Sequence, residues 1–402
     1  MHWEFSGRIK MAKKKKKGRA KSEYFDYNLI AAVILLTCFG LVMLYSTSAY
    51  TAQIKFDDDM SFFRKQAIIS AASIMIAVGL SMFDYHLLYY VSRFIYWFSI
   101  FLMALVKYTP LGVEVNGAKR WLRLGTEVLQ FQPAEVAKIA AITFIPCLIM
   151  KMGREVATRA GFWKLVAYGG GLAFAAFYLT DNLSTAVIIA GITALMIFVA
   201  HPNQKLFIRI AIAGVIGIIL IRVILQMTLG EMTLNMDNVD SFRMERVLVW
   251  LNPQQYSSEG GYQIMQALYA IGSGGFFGKG LGNSVQKLGP VPEAQNDMIF
   301  SIVCEELGVF GGLIIIALFG YLLYRLFFIA QNAPDFYGSL MVSGIMIHIA
   351  LQVILNICVV LNWIPTTGIT LPFVSYGGTS VLFLMAEMGI ALSVSRRIKF
   401  DE

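Results

Sequence analysis

The sequence predicts an all-α polytopic membrane protein of about ten transmembrane helices, with a large extracytoplasmic loop between helices 7 and 8. Two observations carry that class. Of 402 residues, 57% are hydrophobic and 14% charged, with a mean hydropathy of +0.65, whereas a soluble domain carries roughly a quarter charged residues. The apolar residues also fall in continuous runs of about 20, the length a helix needs to cross hydrocarbon, and do not alternate as barrel strands would.

In order, the runs cover 28–48, 66–83, 88–107, 133–152, 162–180, 184–200, 206–227, 298–322, 337–361 and 371–393. Nine Lys/Arg, including Lys13 to Lys17, make residues 1–27 a basic tail, and positive charge beside a first span biases it to the cytoplasmic side. The run that follows is too long for a signal-peptide core and is read as a retained helix. Arg396, Arg397 and Lys399, in the tail 396–402, place the C-terminus on the same side, as ten crossings require. A net charge of +8 would suggest nucleic acid in a soluble chain. Here the charge flanks the membrane, so the expected partners are anionic lipids and no nucleic acid.

Residues 28–395 thus form one membrane domain, with external segments at 49–65, 108–132, 181–183, 228–297 and 362–370. The segment 228–297 is too long for an idle connector. Helical apolar spacing in the second half of LNPQQYSSEGGYQIMQALYAIGSG predicts a helix there. Cys38, Cys147, Cys304 and Cys358 all lie inside apolar runs, and His2, His86, His201 and His348 are scattered. No disulfide framework or metal motif is expected.

An ionisable side chain in a membrane span costs roughly 2.5 to 3.5 kcal/mol on insertion scales, so such residues mark pairs or cavities. Asp297 stands where the glycine-rich loop of 278–289 gives way to the eighth apolar run, a position suited to a catalytic base. Glu135 and Lys138 are spaced i, i+3 on one helix face. They form either a salt bridge that serves packing or part of a polar cavity for an anionic head group. Lys119, Arg120 and Arg123 add three cations beside that face, with Trp121 among them, a set suited to a phosphate or pyrophosphate. Glu305 lies eight residues after Asp297, within about 80° on a continuous helix, so the two would line one cavity. For Glu305 and Glu306, packing with a cationic partner and a functional role both stay open, and Glu387 lies in the last run. Arg93, Arg209 and Arg222, near run ends, read as snorkelling side chains.

The glycines between 272 and 282 do not make a nucleotide loop: Lys279 is followed by Gly280 where the Walker pattern needs Ser/Thr, and no strand leads into them. A backbone that must bend sharply or approach a ligand closely explains them better. In LPFVSYGGTS (371–380), Pro372, Gly377 and Gly378 likewise break the start of the last helix, as tolerated where a break lines a cavity.

At these residues the chain resembles the SEDS family of shape, elongation, division and sporulation proteins. The matching elements are GAKRWLRLG (117–125), QPAEVAK (132–138), NP (252–253), GYQ (261–263), GKGLGNSVQKL, PEAQNDMIF, EELG and IPTTGITLPFVSYGGTS (364–380). GNSVQKL followed by PEAQND is more similar to the division branch, FtsW, than to the elongation branch, RodA. The resemblance implies a ten-helix peptidoglycan glycosyltransferase of the bacterial cytoplasmic membrane, acting at the division septum. It would polymerise lipid II at the outer face with a class B penicillin-binding protein (FtsI-like) and other divisome proteins. It also implies a divalent cation, Mg or Mn, for which the sequence offers no ligand set, and an essential carboxylate within PEAQND, which is Asp297 here.

That reaction suits the residues. Making a β-1,4 bond from an α-linked sugar pyrophosphate inverts the anomeric centre, so one carboxylate can deprotonate the acceptor hydroxyl for in-line attack. Asp297 is the base, and Lys138, Arg120 and Lys119 face the leaving pyrophosphate, with Glu135 orienting Lys138. Trp121, Lys287, Glu306 and Ser375 complete the candidate substrate contacts. The chain departs from the family pattern at TDNLST (180–185), where Asn182 replaces an Asp that only Asp181 could replace in turn. It departs again at Thr367, in place of a Lys, and at Gly289 and Pro290, where some members carry an acid. A lipid II flippase needs similar charges and broken helices, but nearer the midplane. A division scaffold would not need the cavity charges.

Overall fold

The computed structural model describes residues 24–115, 118–123, 130–229, 242–256, 261–289 and 291–399. Most of the basic tail, Gly117, Leu124, Gly125 and Pro290 lie outside the described residues. Seven helices run from the N-terminus: α1 (Tyr27–Phe56), α2 (Ser61–Met82), α3 (His86–Tyr108), α4 (Pro133–Met152), α5 (Arg159–Thr180), α6 (Leu183–Ala200) and α7 (Gln204–Leu229). Two shorter helices, α8 (Phe242–Leu251) and α9 (Tyr262–Gly274), follow in the long segment, and then α10 (Ile299–Asn332), α11 (Phe336–Val360) and α12 (Thr379–Ser395). Nine of the described helices are long and apolar enough to cross a bilayer; α12, with 17 residues, is shorter but within the roughly 17 to 25 a span needs. The protein is a multi-pass membrane protein.

Helix starts are written in the sequence. Asp26 caps α1 through its side chain to Leu29 N at 2.9 Å, Asn182 caps α6 through Thr185 N at 3.0 Å, and Asp335 caps α11 through Gly338 N at 2.9 Å. Each satisfies an amide that a helix start leaves without a partner. Pro133 opens α4 where its missing N–H costs nothing.

The crossings gather alternate connections at two ends. At one end, Arg325 of α10 binds Asp26 ahead of α1 at 2.7 Å, Arg397 after α12 binds Asp84 of the α2–α3 turn at 2.8 Å, and His86 reaches Asp335 at 3.1 Å. Helices α4 and α11 form the centre and are buried along most of their length, with α6 and α12 packed on them. The rim is apolar and exposed, as on Phe94, Phe101, Phe174 and Ile316, which is the surface a helix bundle turns to lipid. Helix α7 is the extreme case: no residue of its apolar window is buried, and it packs on α6 and α8. Its Arg222 stacks on the Trp250 ring at 5.0 Å, so a protein contact, as well as snorkelling, accommodates that charge.

Three features differ from the sequence reading. The 108–132 connection holds a small antiparallel sheet, β1 (Gly112–Val115), β2 (Ala118–Arg123) and β3 (Gln130–Phe131), in the order β1-β2-β3. Its signal is the Asn-Gly pair between VEV and AKRWL, the dipeptide that favours a two-residue hairpin turn. The long segment carries α8 as well as the anticipated α9. The last apolar run is helical only from Thr379; residues 371–378 form a non-helical wall, as Pro372, Gly377 and Gly378 suggest.

Candidate active site

A cavity of ≈ 1010 Å³ opens at the bundle end opposite the Asp26, Asp84 and Asp335 pairs. Its walls are β2 and α4 (Arg120, Trp121, Gln132, Glu135, Lys138), the start of α6 (Asn182, Ser184, Thr185), Arg246 of α8, and the segment before α10 (Glu293, Asn296, Asp297). The non-helical wall (Thr367 to Thr370 and Tyr376 to Ser380), Gln352 of α11 and Lys65 of α2 complete it.

Asp297 precedes α10 by two residues, and its backbone is fixed from outside the helix. Asn356 of α11 donates through Nδ2 to the Asp297 carbonyl at 2.8 Å and to the Ile369 carbonyl at 2.7 Å. Tyr376 N donates to Gln295 O at 2.9 Å, and Gln263 Nε2 to Pro292 O at 3.1 Å. The PEAQND, GYQ and TGITLPFVSY elements are therefore one bonded unit. Within it the Asp297 Oδ1 is enclosed and accepts no hydrogen bond from the described residues. Burial raises the Asp297 pKa to about 6, its own backbone amide and Arg246 pull it down, and the Glu293 carboxylate pushes it up. Such a carboxyl ionises just below neutrality, where a general base works best.

The cations face it across the cavity. Lys138 Nζ pairs with Glu135 Oε1 at 2.9 Å, and both side chains are buried. The i, i+3 pair thus makes the salt bridge and also stands on the cavity wall. Arg120 donates to Asp181 O at 3.4 Å and Arg246 to Thr366 O at 3.0 Å. Burial and the neighbouring Arg120 depress the Arg246 pKa. Two guanidiniums held near each other favour an anion between them. Arg246 and Lys65 were not among the residues singled out in the sequence. The signal for Arg246 was SFRMERVLVWL, whose charged and apolar residues segregate at helical spacing; nothing in FRKQ distinguished Lys65.

Several residues singled out from the sequence lie elsewhere. Lys119 alternates to the exposed face of β2 and does not line the cavity. Lys287 and Glu306 are buried and pair with each other at 2.8 Å, both bonded to Ser46 of α1 at 2.8 to 3.0 Å, so they tie the glycine-rich loop to the bundle and face no cavity. Ser375 is buried and its Oγ accepts from Leu371 N at 2.8 Å, closing a turn in the wall. Glu305 does not line a cavity with Asp297. Asp297 stands outside the helix, where the 80° relation has no meaning, and Glu305 binds Lys279 at 2.7 Å, Ser284 Oγ, and the amides of Val285 and Gln286 at 3.2 and 3.3 Å. Glu387 pairs with His348 at 2.8 Å between α12 and α11. Asn182 caps α6 on the cavity wall, whereas Asp181 is exposed outside it; the cavity has no carboxylate at that position.

The glycine-rich loop has a different partner from the ligand its composition suggests. Helix α10 breaks at Gly308, whose φ is +70°, and the loop supplies the backbone bonds the break removes. Lys279 N and Gly280 N donate to the carbonyls of Glu305 and Glu306 at 2.9 Å, while Val309 N and Phe310 N donate to Gly275 O and Phe276 O at 3.0 and 3.2 Å. A Cβ on Gly278 would lie 2.2 Å from Glu306 O, and one on Gly308 2.2 Å from Phe276 O. No side chain fits between these backbones.

Over residues 26–399 the sequence matches the cell cycle protein family of FtsW, RodA and SpoVE. The chain belongs to this family. Stage V sporulation protein E of Bacillus subtilis is 36% identical over 379 residues, covering 93% of this chain and 98% of its own. A probable peptidoglycan glycosyltransferase FtsW of Saccharophagus degradans is 33% identical, covering 92% of each chain. Among solved structures, a chain of a peptidoglycan synthase complex that coordinates polymerization and crosslinking superposes with a TM-score of 0.72 at 26% identity, over 92% of this chain and 98% of that one. The rod shape determining protein RodA of Thermus thermophilus gives 0.64 at 25% identity, over 94% and 98%. The FtsW/RodA/SpoVE match thus spans every wall of the cavity, from Lys65 to Ser380.

Proposed function

We propose that this family member is a peptidoglycan glycosyltransferase that polymerises lipid II at the outer face of the cytoplasmic membrane, with Asp297 as general base. The observation that carries the reading is a half-buried carboxylate with an enclosed, unbonded oxygen, facing Arg120, Lys138 and Arg246 across one cavity. Names of the FtsW relatives supply the reaction class; the cavity supplies residues suited to it.

In the reaction, Asp297 takes the proton of the acceptor sugar hydroxyl as its oxygen attacks the anomeric carbon of the donor. The bond from that carbon to pyrophosphate breaks, its electron pair leaves with the pyrophosphate, and the configuration inverts from α to β. Guanidinium and ammonium groups in a partly enclosed site stabilise the charge that develops there. Trp121 and the apolar helix faces below it would accept the sugar and the polyprenyl chain.

Among the described residues no three His, Cys, Asp or Glu side chains group to hold a metal. Of the carboxylates on the cavity wall, Glu135 is paired with Lys138 and Asp297 is assigned as the base, which leaves Glu293 to hold a magnesium-like ion that keeps waters and phosphate oxygens in its shell, as such ions do when bound through one or two carboxylates. A divalent cation there would supply charge neutralisation of the pyrophosphate.

The division role, septal location and a class B penicillin-binding partner are part of this proposal. They are supported by the FtsW relatives and by the synthase complex among the similar structures. Purified with such a partner and given lipid II, the protein is expected to form glycan polymer. Asp297→Asn is expected to lower the rate at least 100-fold, within the range of general-base catalysis; full activity of that variant would remove the assignment. Translocation of lipid II across vesicles without polymer would support a flippase instead.

A further inference from the structure

Asn356 stands on α11, outside the cavity, yet it bonds both segments that form the cavity's mouth. Its side chain is wholly buried. The amide nitrogen spends one N–H on the Asp297 carbonyl at 2.8 Å and the other on the Ile369 carbonyl at 2.7 Å, while Oδ1 is enclosed without a donor. Two carbonyl acceptors fix the flip of the amide, because only the nitrogen can donate to them. One turn along α11 and on the same face, Gln352 repeats the arrangement: Nε2 donates to Thr370 O at 3.0 Å and Oε1 is enclosed without a partner. Two amide side chains in a membrane helix therefore hold non-helical backbone that has no ladder of its own. Such backbone is tolerated at membrane depth only when protein groups satisfy it.

We propose that Asn356 is a positioning residue for the polymerase reaction: by clamping the Asp297 and Ile369 carbonyls together it sets where the Asp297 carboxylate stands in the cavity. The inference rests on Asp297 acting as the base. No other side chain is bonded to the Asp297 carbonyl among the described residues, and the residue is followed at once by the start of α10. Loss of the clamp frees the carboxylate to turn toward water while leaving every group that faces it in place. Those groups are Glu293 on its own segment, Arg246 on α8, Arg120 on β2, Glu135 and Lys138 on α4, and Lys65 on α2.

The test uses the full chain with its penicillin-binding partner, and lipid II as substrate. Asn356→Leu keeps the branching and the number of heavy atoms, though not the volume, and removes the amide; Asn356→Ser is smaller and too short to bridge both carbonyls, and serves if the larger Leu does not fit the buried site. For each, kcat, KM and the pH–rate profile are measured on protein with a cooperative melting transition. The expected result is a kcat reduced at least 10-fold with KM within about 2-fold, and an acid limb moved to lower pH by at least half a unit as the carboxyl gains water. A purely structural role would lower the melting temperature and leave kcat per folded molecule and the acid limb unchanged, and that result overturns the inference. Should Asp297→Asn itself polymerise normally, the general-base reading fails first and separately. Asn332→Leu, which removes an amide donor at the far end of α10 that bonds the Phe328 carbonyl at 2.8 Å and lies outside the cavity, is the control and is expected to leave the acid limb where it is.

Discussion

Burial of the Asp297 carboxyl in the cavity wall raises its pKa from an ordinary 3.8 to about 6, and that single change touches both catalysis and folding. The base must be ionised, so the rate of polymerisation is expected to rise with pH through about 6 and then level off. The folded state also holds this proton more tightly than the unfolded chain. Folding is therefore penalised as pH rises from 3.8 past 6, on the order of 3 kcal/mol once both states are ionised. Asp297→Asn should melt at a higher temperature than the parent at pH 7.5, and the gain should vanish toward pH 4. A variant that is inactive and less stable at pH 7.5 would contradict the buried-carboxylate account. The Lys287–Glu306 pair makes the opposite case. Both members are buried and partnered, so Lys287→Met leaves a buried charge and is expected to cost about 3 to 5 kcal/mol, whereas Lys287→Met with Glu306→Leu should recover much of it. A pair that contacted substrate would instead lose activity without this rescue in thermal melts.

Helix α10 and the loop that repairs it show where an element-level reading succeeds and where it stops. Because Gly308 sits at φ +70° and its missing Cβ admits Phe276 O, Gly308→Ala is expected to destabilise the protein by about 2 kcal/mol or more, adding clash to the cost of a left-handed alanine. Circular-dichroism melts in detergent would read the loss, and a neutral substitution would mean that loop and helix are not spliced as described. The sequence argued against a nucleotide loop at 272–282 and left a sharp bend or a closely approached ligand as the reason for the glycines. It could not show that the approaching group was another part of the chain, because the four donors and acceptors involved are main-chain atoms that every residue has. The same limit explains Glu305, Glu306 and Lys287. The burial of Glu305 and Glu306 was legible from apolar flanks and that of Lys287, in a polar loop, was not; the partners lie about 20 residues apart in sequence or on α1, and no periodicity encodes such pairing. By contrast the nine long spans, α9, the broken start of α12, and the Glu135–Lys138 pair follow from local spacing alone. The sheet was also locally encoded, in the Asn-Gly turn pair, and was missed because strong hydrophobic runs on both sides drew attention to helices. The helical spacing around Arg246 is legible, but the residues it meets in the cavity come from β2, α4 and the segment before α10, and no local pattern pairs it with them.

At the scale of the whole molecule, the cavity lies at one end of the bundle and the first and last described residues, Tyr24 and Lys399, at the other, so one choice of orientation decides which compartment the chemistry faces. The end bearing the described termini also carries Lys151 in the last turn of α4, Arg154 between α4 and α5, Arg159 at the start of α5 and Lys205 at the start of α7, and the basic tail precedes α1 in the sequence. Lysine and arginine in short loops bias an end toward the cytoplasm, which is the orientation the proposed reaction needs. The cavity end has cations too, but Arg120, Lys138 and Arg246 lie within its wall, held by pairs and carbonyls and not free to act as topological signals. The prediction is made on two exposed positions away from the catalytic groups. In a background with the four native cysteines replaced, Val285→Cys in the glycine-rich loop should react with a membrane-impermeant maleimide on intact cells. Lys399→Cys should react only after the membrane is permeabilised. The reverse pattern would place Asp297 in the cytoplasm, where a lipid-linked disaccharide carried outward for polymerisation would never meet it. The proposed polymerase reaction would fall with the orientation, whatever the activity of Asp297 variants in detergent, because detergent solution has no sides.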